Sequence, residues 1–426
     1  MLTSRRMLSL LLAAAAVIAI LSGCYAAPVN EATEQGGETS GAIVTDPEIP
    51  VTTYPVPEEN IRTFGNMAAS ASTGGFWQWD TFFRPYIQAY DPVTRTTYVP
   101  CYQSGCRHND PTCNACFGDL QSLVEYRGNY YALVYTDDET ASALVTRPLT
   151  GGPLQTLACW EPENEDEACR CVLRYVSFGK AYVTANRETY ALTEDGQLTT
   201  AAQESSLVSV DLQTGEVSTI LENDDGYDLY GVWEDIAAFR MLEMAEDAPE
   251  FEDWLAQQPE GTSWDEYDRQ FLRFRFLIRN LKTGEETVLV DASENFIRTV
   301  DPHRSWGQYA VYQVDRSLYV YDLEKQAAKK LFTYEQNWDF YNYMILDGHV
   351  IAICGTEDVC RVWAIDITDE VVTELDTRSG NVMVFSTNYE CDGYFKGLLT
   401  EPSGNVEEYY IGKEDFYRSN YDAAFR

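Results

Sequence analysis

Basic side chains are scarce in this chain of 426 residues: 30 Lys and Arg face 68 Asp and Glu, for a formal charge of −38. Binding DNA, RNA or an anionic bilayer face needs a basic surface to neutralise phosphate. No local run of Lys or Arg reverses the sign here, so nucleic-acid recognition is excluded. Histidine is scarcer still, at 3 residues. His303 and His349 sit beside turn signals and read as turn or surface residues rather than general bases. The chain has no Gly-x-Ser-x-Gly elbow, no phosphate-binding loop and no His-Glu-x-x-His helix, so the usual signatures of acyl transfer, nucleotide hydrolysis and zinc proteolysis are missing. Its many carboxylates single out no glycosidase pair. Asp224, Asp225 and Asp228 miss the spacing of an EF-hand calcium loop and read as a solvated turn. Long hydrophobic runs are missing too, apart from one at the N-terminus.

That run, Leu8 to Leu21, follows Arg5 and Arg6 and ends in Leu21-Ser22-Gly23-Cys24. It is short for a membrane span. A charged start, an apolar middle and a small-residue end form an export signal. The stretch resembles a bacterial lipoprotein signal with its lipobox, which implies that residues 1–23 are a signal peptide and that Cys24 is lipidated. An ordinary signal peptide that contains a cysteine is the alternative. Ser4-Arg5-Arg6-Met7-Leu8 also looks like the twin-arginine export pattern, so the twin-arginine and general secretory routes both stay open. The implied location is extracytoplasmic, with the chain lipid-anchored to the bacterial cell membrane.

From Tyr25 to about Asn60 the chain carries Pro28, Pro47, Pro50, Pro55 and Pro57 with Gly36, Gly37 and Gly41, and shows almost no apolar periodicity. Residues 24–60 therefore read as a disordered tether. Beyond it, residues 61–426 read as one all-β domain. Short runs rich in Val, Ile, Tyr, Phe and Leu recur, as in Tyr130 to Tyr135, Leu207 to Asp211, Phe276 to Asn280, Leu318 to Asp322 and Val362 to Asp366. Each is followed by a turn signal and a second run. Before most of them lies another pair opened by glycine, as at Arg127-Gly128, Phe178-Gly179, Trp306-Gly307 and Asp347-Gly348. That is a four-stranded unit repeated along the chain. The turns after Asp91, Leu149, Asp211, Asn280, Asp322 and Asp366, with a weaker one near Pro402 to Gly404, predict seven units; six or eight are also compatible. Blades of a β-propeller take about 40 to 50 residues, and radial repetition protects the strand edges. A pair of β-sandwiches is the alternative. The spacing resembles the TolB-like and quinoprotein-like propellers in general look, without a calcium or quinone motif.

The repeat breaks at about residues 242–272, where Ala248 to Gln258 reads as a short helix. A second helix starts at Ser263 with Glu266 in a capping box. This insertion offers Trp254, Trp264 and Tyr267 either as a docking element or as packing against the blade rim. The densest aromatic cluster, Phe76-Trp77-Gln78-Trp79 with Phe82, Phe83 and Tyr86, reads in the same two ways: Trp77 and Trp79 stack on a glycan or peptide if exposed, and belong to the core if buried.

Cysteine is concentrated in Cys101, Cys106, Cys113 and Cys116, with His108 among them. Thiolates and an imidazole so closely spaced suit a tetrahedral metal, with structural zinc as the cofactor they point to. In an exported protein cysteines also pair, and disulfides are the rival reading. Cys354 and Cys360 flank a hairpin and could bond; Cys159, Cys169 and Cys171 bracket an acidic loop that one disulfide could close; Cys391 has no local partner. The stretch from Val99 to Ala115 resembles a segment of a family of uncharacterised propeller-like lipoproteins of anaerobic Gram-positive bacteria. Its pattern is Cys, a gap, Cys-x-His, then Cys-Asn-Ala and an aromatic; Cys101, Cys106, His108 and Cys113 match it, and Cys116 stands where the aromatic is usual. The resemblance implies no activity, but three thiols with one imidazole fit a metal better than two disulfides.

Two classes of function follow. The leading expectation is a lipid-anchored cell-envelope propeller that binds a protein, peptide or glycan partner, without chemistry of its own. The alternatives are an envelope enzyme acting on polysaccharide or peptidoglycan from the central channel, and a metal-binding or metal-delivery lipoprotein, which would need an exposed, exchangeable site.

Overall fold

The computed structural model describes residues 51–426, except 63–66, 71–73, 81–83, 137–138, 194–197, 223–226, 260–261, 293–304, 315, 335–338, 356–359, 376–385 and 401–405. Seven antiparallel sheets follow one another along the chain, each a meander. Blade 1 runs from Met67–Ser70 through Gly75–Asp80 and Arg84–Asp91 to Thr96–Tyr98, and blade 2 starts at Asp119–Tyr126. Blades 3, 4, 5 and 6 start at Glu167–Ser177, Tyr227–Trp233, Ser305–Trp306 and Asp339–Leu346. Blade 7 has three strands among the described residues, Ser386–Cys391, Tyr394–Thr400 and Val406–Gly412.

Local chemistry sets this repeat. The first two strands of blades 2, 3 and 6 join through tight turns in which both central residues have positive φ: Arg127 and Gly128 (47° and 80°), Phe178 and Gly179 (46° and 75°), Asp347 and Gly348 (50° and 66°). Such turns match the twist of the flanking strands. The third and fourth strands join through a different device. Asp91, Asp211, Asn280 and Asp366 each accept backbone N–H bonds from the residues two and three positions on, at 2.7–3.3 Å. A side chain that satisfies the turn's own backbone makes the reversal local.

Apolar side chains fill the spaces between blades, with one cluster at each of the seven junctions. Leu123, Ala132 and Val145 of blade 2 meet Trp77 and Ile87 of blade 1. At the far end, Phe76 and Tyr90 of blade 1 meet Cys391 and Tyr410 of blade 7, which closes the ring. Full burial of one such side chain stabilises by about 1.5–3 kcal/mol. The expectation of seven blades is met; the sandwich is not formed. Blade 7 also receives the C-terminus, since Tyr410 and Phe425 exchange backbone bonds of 2.7 and 2.9 Å and Arg95 of blade 1 lies 4.0 Å over the Phe425 ring. Among the described residues no helix is long and apolar enough to cross a membrane.

Two additions depart from the ring. Between the second and third strands of blade 4 lie helices α1 (Phe251–Leu255) and α2 (Trp264–Phe271). The Glu266 carboxylate accepts the Ser263 backbone N–H at 3.1 Å, the reciprocal half of the capping box. The other addition is a strap at the N-terminal end of the described chain. Tyr54 donates its backbone N–H to Asp347 and its hydroxyl to Asp366 in blade 6 (2.7 and 2.9 Å), and Val56 donates to Asp392 in blade 7 at 3.1 Å. Glu59 reaches Tyr126 and Arg127 in blade 2. Asn60 donates to Ser305 and Gly307 of blade 5 and accepts from Val232 of blade 4, at 2.8–3.1 Å. Ile61–Arg62 then pairs with Tyr175 and Val176 on the inner edge of blade 3. Residues 51–60, expected as the end of the tether, thus belong to the folded body: their backbone and side-chain polar groups find partners on the turns of blades 2 to 7.

Candidate metal centre

The connection from blade 1 to blade 2, residues 99–118, holds the cysteine cluster. Short-range bonds coil it: Cys106 N–H donates to Gln103 O (3.3 Å), Cys113 N–H to Asp110 O (3.0 Å) and Cys116 N–H to Cys113 O (3.1 Å), while the Gln103 amide reaches across to Thr112 O at 2.6 Å. His108 takes φ of 56°, a left-handed conformation that reverses the chain between Cys106 and Cys113. The loop is pinned to the body from below. Ile87 N–H donates to Ala115 O at 2.9 Å, and Arg147, fully buried, donates to the carbonyls of Cys113, Cys116 (3.2 Å) and Pro111 (2.8 Å). Gly151 allows Asn114 to approach, because a Cβ there would collide with the Asn114 side chain.

This coil brings one ligand atom each from Cys101, Cys106, His108 and Cys113 within 4.8 Å of one another. A zinc-type ion with sulfur at about 2.3 Å and nitrogen at about 2.0 Å needs ligand separations of about 3.5–4 Å, so the four fit around one ion after small side-chain adjustments. His108 Nδ1 lies 3.2 Å from Cys113 Sγ. Backbone N–H groups of His108 and Ala115 point at the sulfurs of Cys106 and Cys113 at 3.4 Å, which favours thiolates. Burial works against the Cys101 thiolate, but hydrogen bonds from the Gln103 backbone and from the Cys113 and Cys106 thiols outweigh it and hold its thiol below the usual range. Burial pushes the Cys113 thiol up to about 12. Without a cation three thiols and an imidazole are poor neighbours; a metal ion resolves the conflict by taking the protons' place.

The sequence-derived set thus divides. Cys101, Cys106, His108 and Cys113 converge, whereas Cys116 is 2% exposed and packs into the core between blades 1 and 2, where burial raises its thiol. Three thiols cannot all pair, so the arrangement suits one metal ion better than a disulfide knot, and all four loop cysteines are free thiols. Cys159, Cys169 and Cys171 are also free, so the expected loop-closing disulfide is not formed: Cys169 and Cys171 lie opposite Arg187 and Ala185 within the blade 3 sheet. The side chains of Cys354 and Cys360 lie outside the described residues.

The aromatic candidates are core. Trp77 and Trp79 are 1% and 5% exposed, with the Trp77 indole N–H bonded to Glu125 at 2.9 Å. Trp254 is 7% exposed; its ring packs edge-on against Tyr267 and its indole N–H reaches Gln270. The binding roles considered for Trp77, Trp79 and Trp254 are therefore corrected, because each ring spends its apolar area on neighbours rather than on solvent. The Trp264 side chain, Asp224, Asp225 and His303 lie outside the described residues. His349, expected at a turn surface, is instead 1% exposed. Sequence reasoning missed Tyr98 and Tyr102, 44% and 78% exposed, although their place at the end of the last strand of blade 1 and next to Cys101 was a usable signal. It also missed Arg147, which reads as an ordinary strand residue.

No protein-family model matches the chain, and no curated protein is similar to it. Among solved structures it is similar to an oligogalacturonate lyase in complex with manganese, at 15% identity and a TM-score of 0.38 over 85% of this chain and 84% of that one. It is similar to the β-propeller domain of the Trilobed protease from Pyrococcus furiosus (11% identity, TM-score 0.42, 82% and 93% covered). It is also similar to TolB from Acinetobacter baumannii (11% identity, TM-score 0.30, 83% and 77% covered).

Proposed function

We propose that this chain is a lipid-anchored envelope propeller that binds a protein, peptide or glycan partner on one face without chemistry of its own, and that Cys101, Cys106, His108 and Cys113 hold a structural zinc ion. The observation that supports this reading is the strap. In an antiparallel meander the tight turns between first and second strands lie at one end of every blade, and the strap bonds to that end of blades 2 to 7. The insertion holding α1 and α2 leaves from the opposite end, whereas the cysteine loop folds back along the rim to the strap end of blade 2, where Asn114 meets Gly151 and Arg147 holds its carbonyls. A lipid on Cys24 would reach the body through the strap, so the strap end would face the membrane and the other end would face outward.

The rim at blades 1 and 2 has the parts a docking surface needs. Tyr102 is 78% exposed and immediately follows the metal ligand Cys101, with Tyr98 close by. An exposed tyrosine on a rigid loop offers a flat apolar face with a polar tip at small entropic cost. Zinc bound by four protein ligands has no open position, which suits a structural role. The ion would supply rigidity to the loop that carries Tyr102.

Two experiments test the reading. Metabolic labelling with a fatty acid should mark the full-length chain and not Cys24→Ser; equal labelling refutes the anchor. A photo-reactive residue in place of Tyr102 should cross-link a partner in whole cells, whereas one in place of Val288, exposed on the rim of blade 4, should not. Cross-links confined to the Val288 position would refute a docking surface at Tyr102.

A further inference from the structure

Lys413 opens helix α3 (Lys413–Tyr417), directly after the last strand of blade 7, and its side chain is 1% exposed. Its Nζ lies 2.8 Å from Asp347 Oδ1 and 3.2 Å from Glu390 Oε2. Asp347 sits in the tight turn of blade 6 with no exposed surface, and Glu390 is near the end of the first strand of blade 7. One ammonium and two carboxylates are thus buried together, walled by the Phe395 ring 5.5 Å from Nζ. Removing such ions from water costs several kcal/mol each, which mutual attraction only partly offsets. Lys413 Nζ also donates to Tyr54 O at 3.0 Å, two further contacts aim at the Asp347 carboxylate, and one holds Glu390. Tyr417 donates its hydroxyl to Asp347 Oδ2 at 3.0 Å, the Tyr54 backbone N–H donates to Oδ1 at 2.7 Å, and the Asp347 N–H donates to Glu390 at 2.9 Å.

We propose that Lys413 and Asp347 condense into a side-chain isopeptide bond, with Glu390 as the proton acceptor. A nitrogen 2.8 Å from one carboxylate oxygen is within about 4 Å of the carboxylate carbon, near the range from which buried, oriented groups react at high effective concentration. Glu390 takes one proton from the Lys413 ammonium, and the free amine attacks Cγ of Asp347. The two oxygens of the tetrahedral adduct are held by the Tyr417 hydroxyl and the Tyr54 N–H. Oδ1 then leaves as water, carrying the proton returned by Glu390 and a second proton from Nζ; Oδ2 remains as the amide carbonyl. The step needs no oxidant or other reagent, and it removes two charges from the interior. Burial raises the Glu390 carboxyl, strengthening it as a base. Burial pulls the Lys413 ammonium down, but Glu390 and Asp347 outweigh it and raise it, so an adjacent base is needed to release the amine. The bond would fasten the end of blade 7 to blade 6 beneath the strap.

Mass spectrometry of the whole chain, denatured and reduced, tests this directly, beside Lys413→Arg and Glu390→Gln. The wild type should be lighter than its sequence by one water and both variants should not. Trypsin should fail to cut after Lys413 and should release a branched peptide that joins the segment containing Asp347 to the one containing Lys413. Cleavage after Lys413 with unlinked peptides in the wild type overturns the proposal and leaves a buried ion triad, whether or not either variant folds. A missing water that persists in Lys413→Arg overturns it as well, by placing the bond elsewhere. Full linkage in Glu390→Gln removes Glu390 from the reaction.

Discussion

Arg147→Met should loosen the cysteine loop more than any single change on the loop's own surface. The guanidinium is fully buried and donates to the carbonyls of Pro111, Cys113 and Cys116, while its plane lies 5.2 Å from the Phe117 ring. Methionine matches the stem and supplies no donor. Three carbonyls then lose charge-assisted bonds worth about 1.5–3 kcal/mol each, and the gain from no longer burying a charge offsets part of that loss. The net loss should be about 2–4 kcal/mol, from carbonyls left unsatisfied. The same carbonyls set the positions of Cys113 and its neighbours, so the loss should also appear as weaker metal binding. Urea unfolding of wild type, Arg147→Met and Arg147→Lys, each with and without zinc, measures the first effect, and competition with a chromophoric chelator measures the second. Arg147→Lys should fall between the other two, since one ammonium cannot reach three diverging carbonyls. A loss below about 1 kcal/mol for Arg147→Met, with zinc affinity unchanged, would refute the claim that Arg147 supports the loop.

Three further outcomes follow from the geometry. Cys106→Ser combined with His108→Ala should abolish stoichiometric zinc in elemental analysis, whereas Cys116→Ser should retain it, because Cys116 lies in the core and outside the cluster. Asn60→Ala should destabilise by about 2–4 kcal/mol in denaturant melts, since one side chain serves Ser305, Gly307 and Val232 and all three bonds are lost together. Burial lowers the pKa of His349 below its ordinary value, an effect that Asp347 and Asp366 oppose and Lys413 reinforces. The unfolded chain therefore takes up a proton near pH 6.5 that the native chain refuses, and stability should fall as pH drops from 7 to 5. The drop should be smaller in His349→Gln, as read from melting temperature against pH.

Much of the blade architecture was legible because its determinants are local. Arg127-Gly128, Phe178-Gly179 and Asp347-Gly348 announce tight turns by composition, and Asp91, Asp211, Asn280 and Asp366 announce the next reversal through their own side chains. The candidate metal ligands were legible for the same reason, falling within thirteen positions of chain from Cys101 to Cys113, except for how Cys116 turns away. That turn was not readable, because it depends on the Ile87 bond to Ala115 and on Arg147, which come from two different blades. The strap was hidden by its composition: the prolines that suggested a tether also suit an extended segment that bonds to turns rather than to a sheet. The fate of Trp77 and Trp254 depended on neighbours remote from them or on an insertion, and period alone does not tell an exposed ring from a buried one.

The strap also dictates an order of assembly. Its hydrogen bonds join residues separated by as many as 359 positions, from Tyr54 to Lys413, so almost the whole chain must exist before its first folded segment can be satisfied. Each blade can pair its own strands as soon as they are made, because meander contacts are short in sequence. Glu59, Ile61 and Arg62 can pair once blades 2 and 3 exist, but Tyr54 and Val56 must wait unpaired until blades 6 and 7 are in place, and closing such a loop is a slow, late step. Truncation anywhere before Lys413 would therefore strip the strap at Tyr54 and the turn at Asp347 of a shared partner at once.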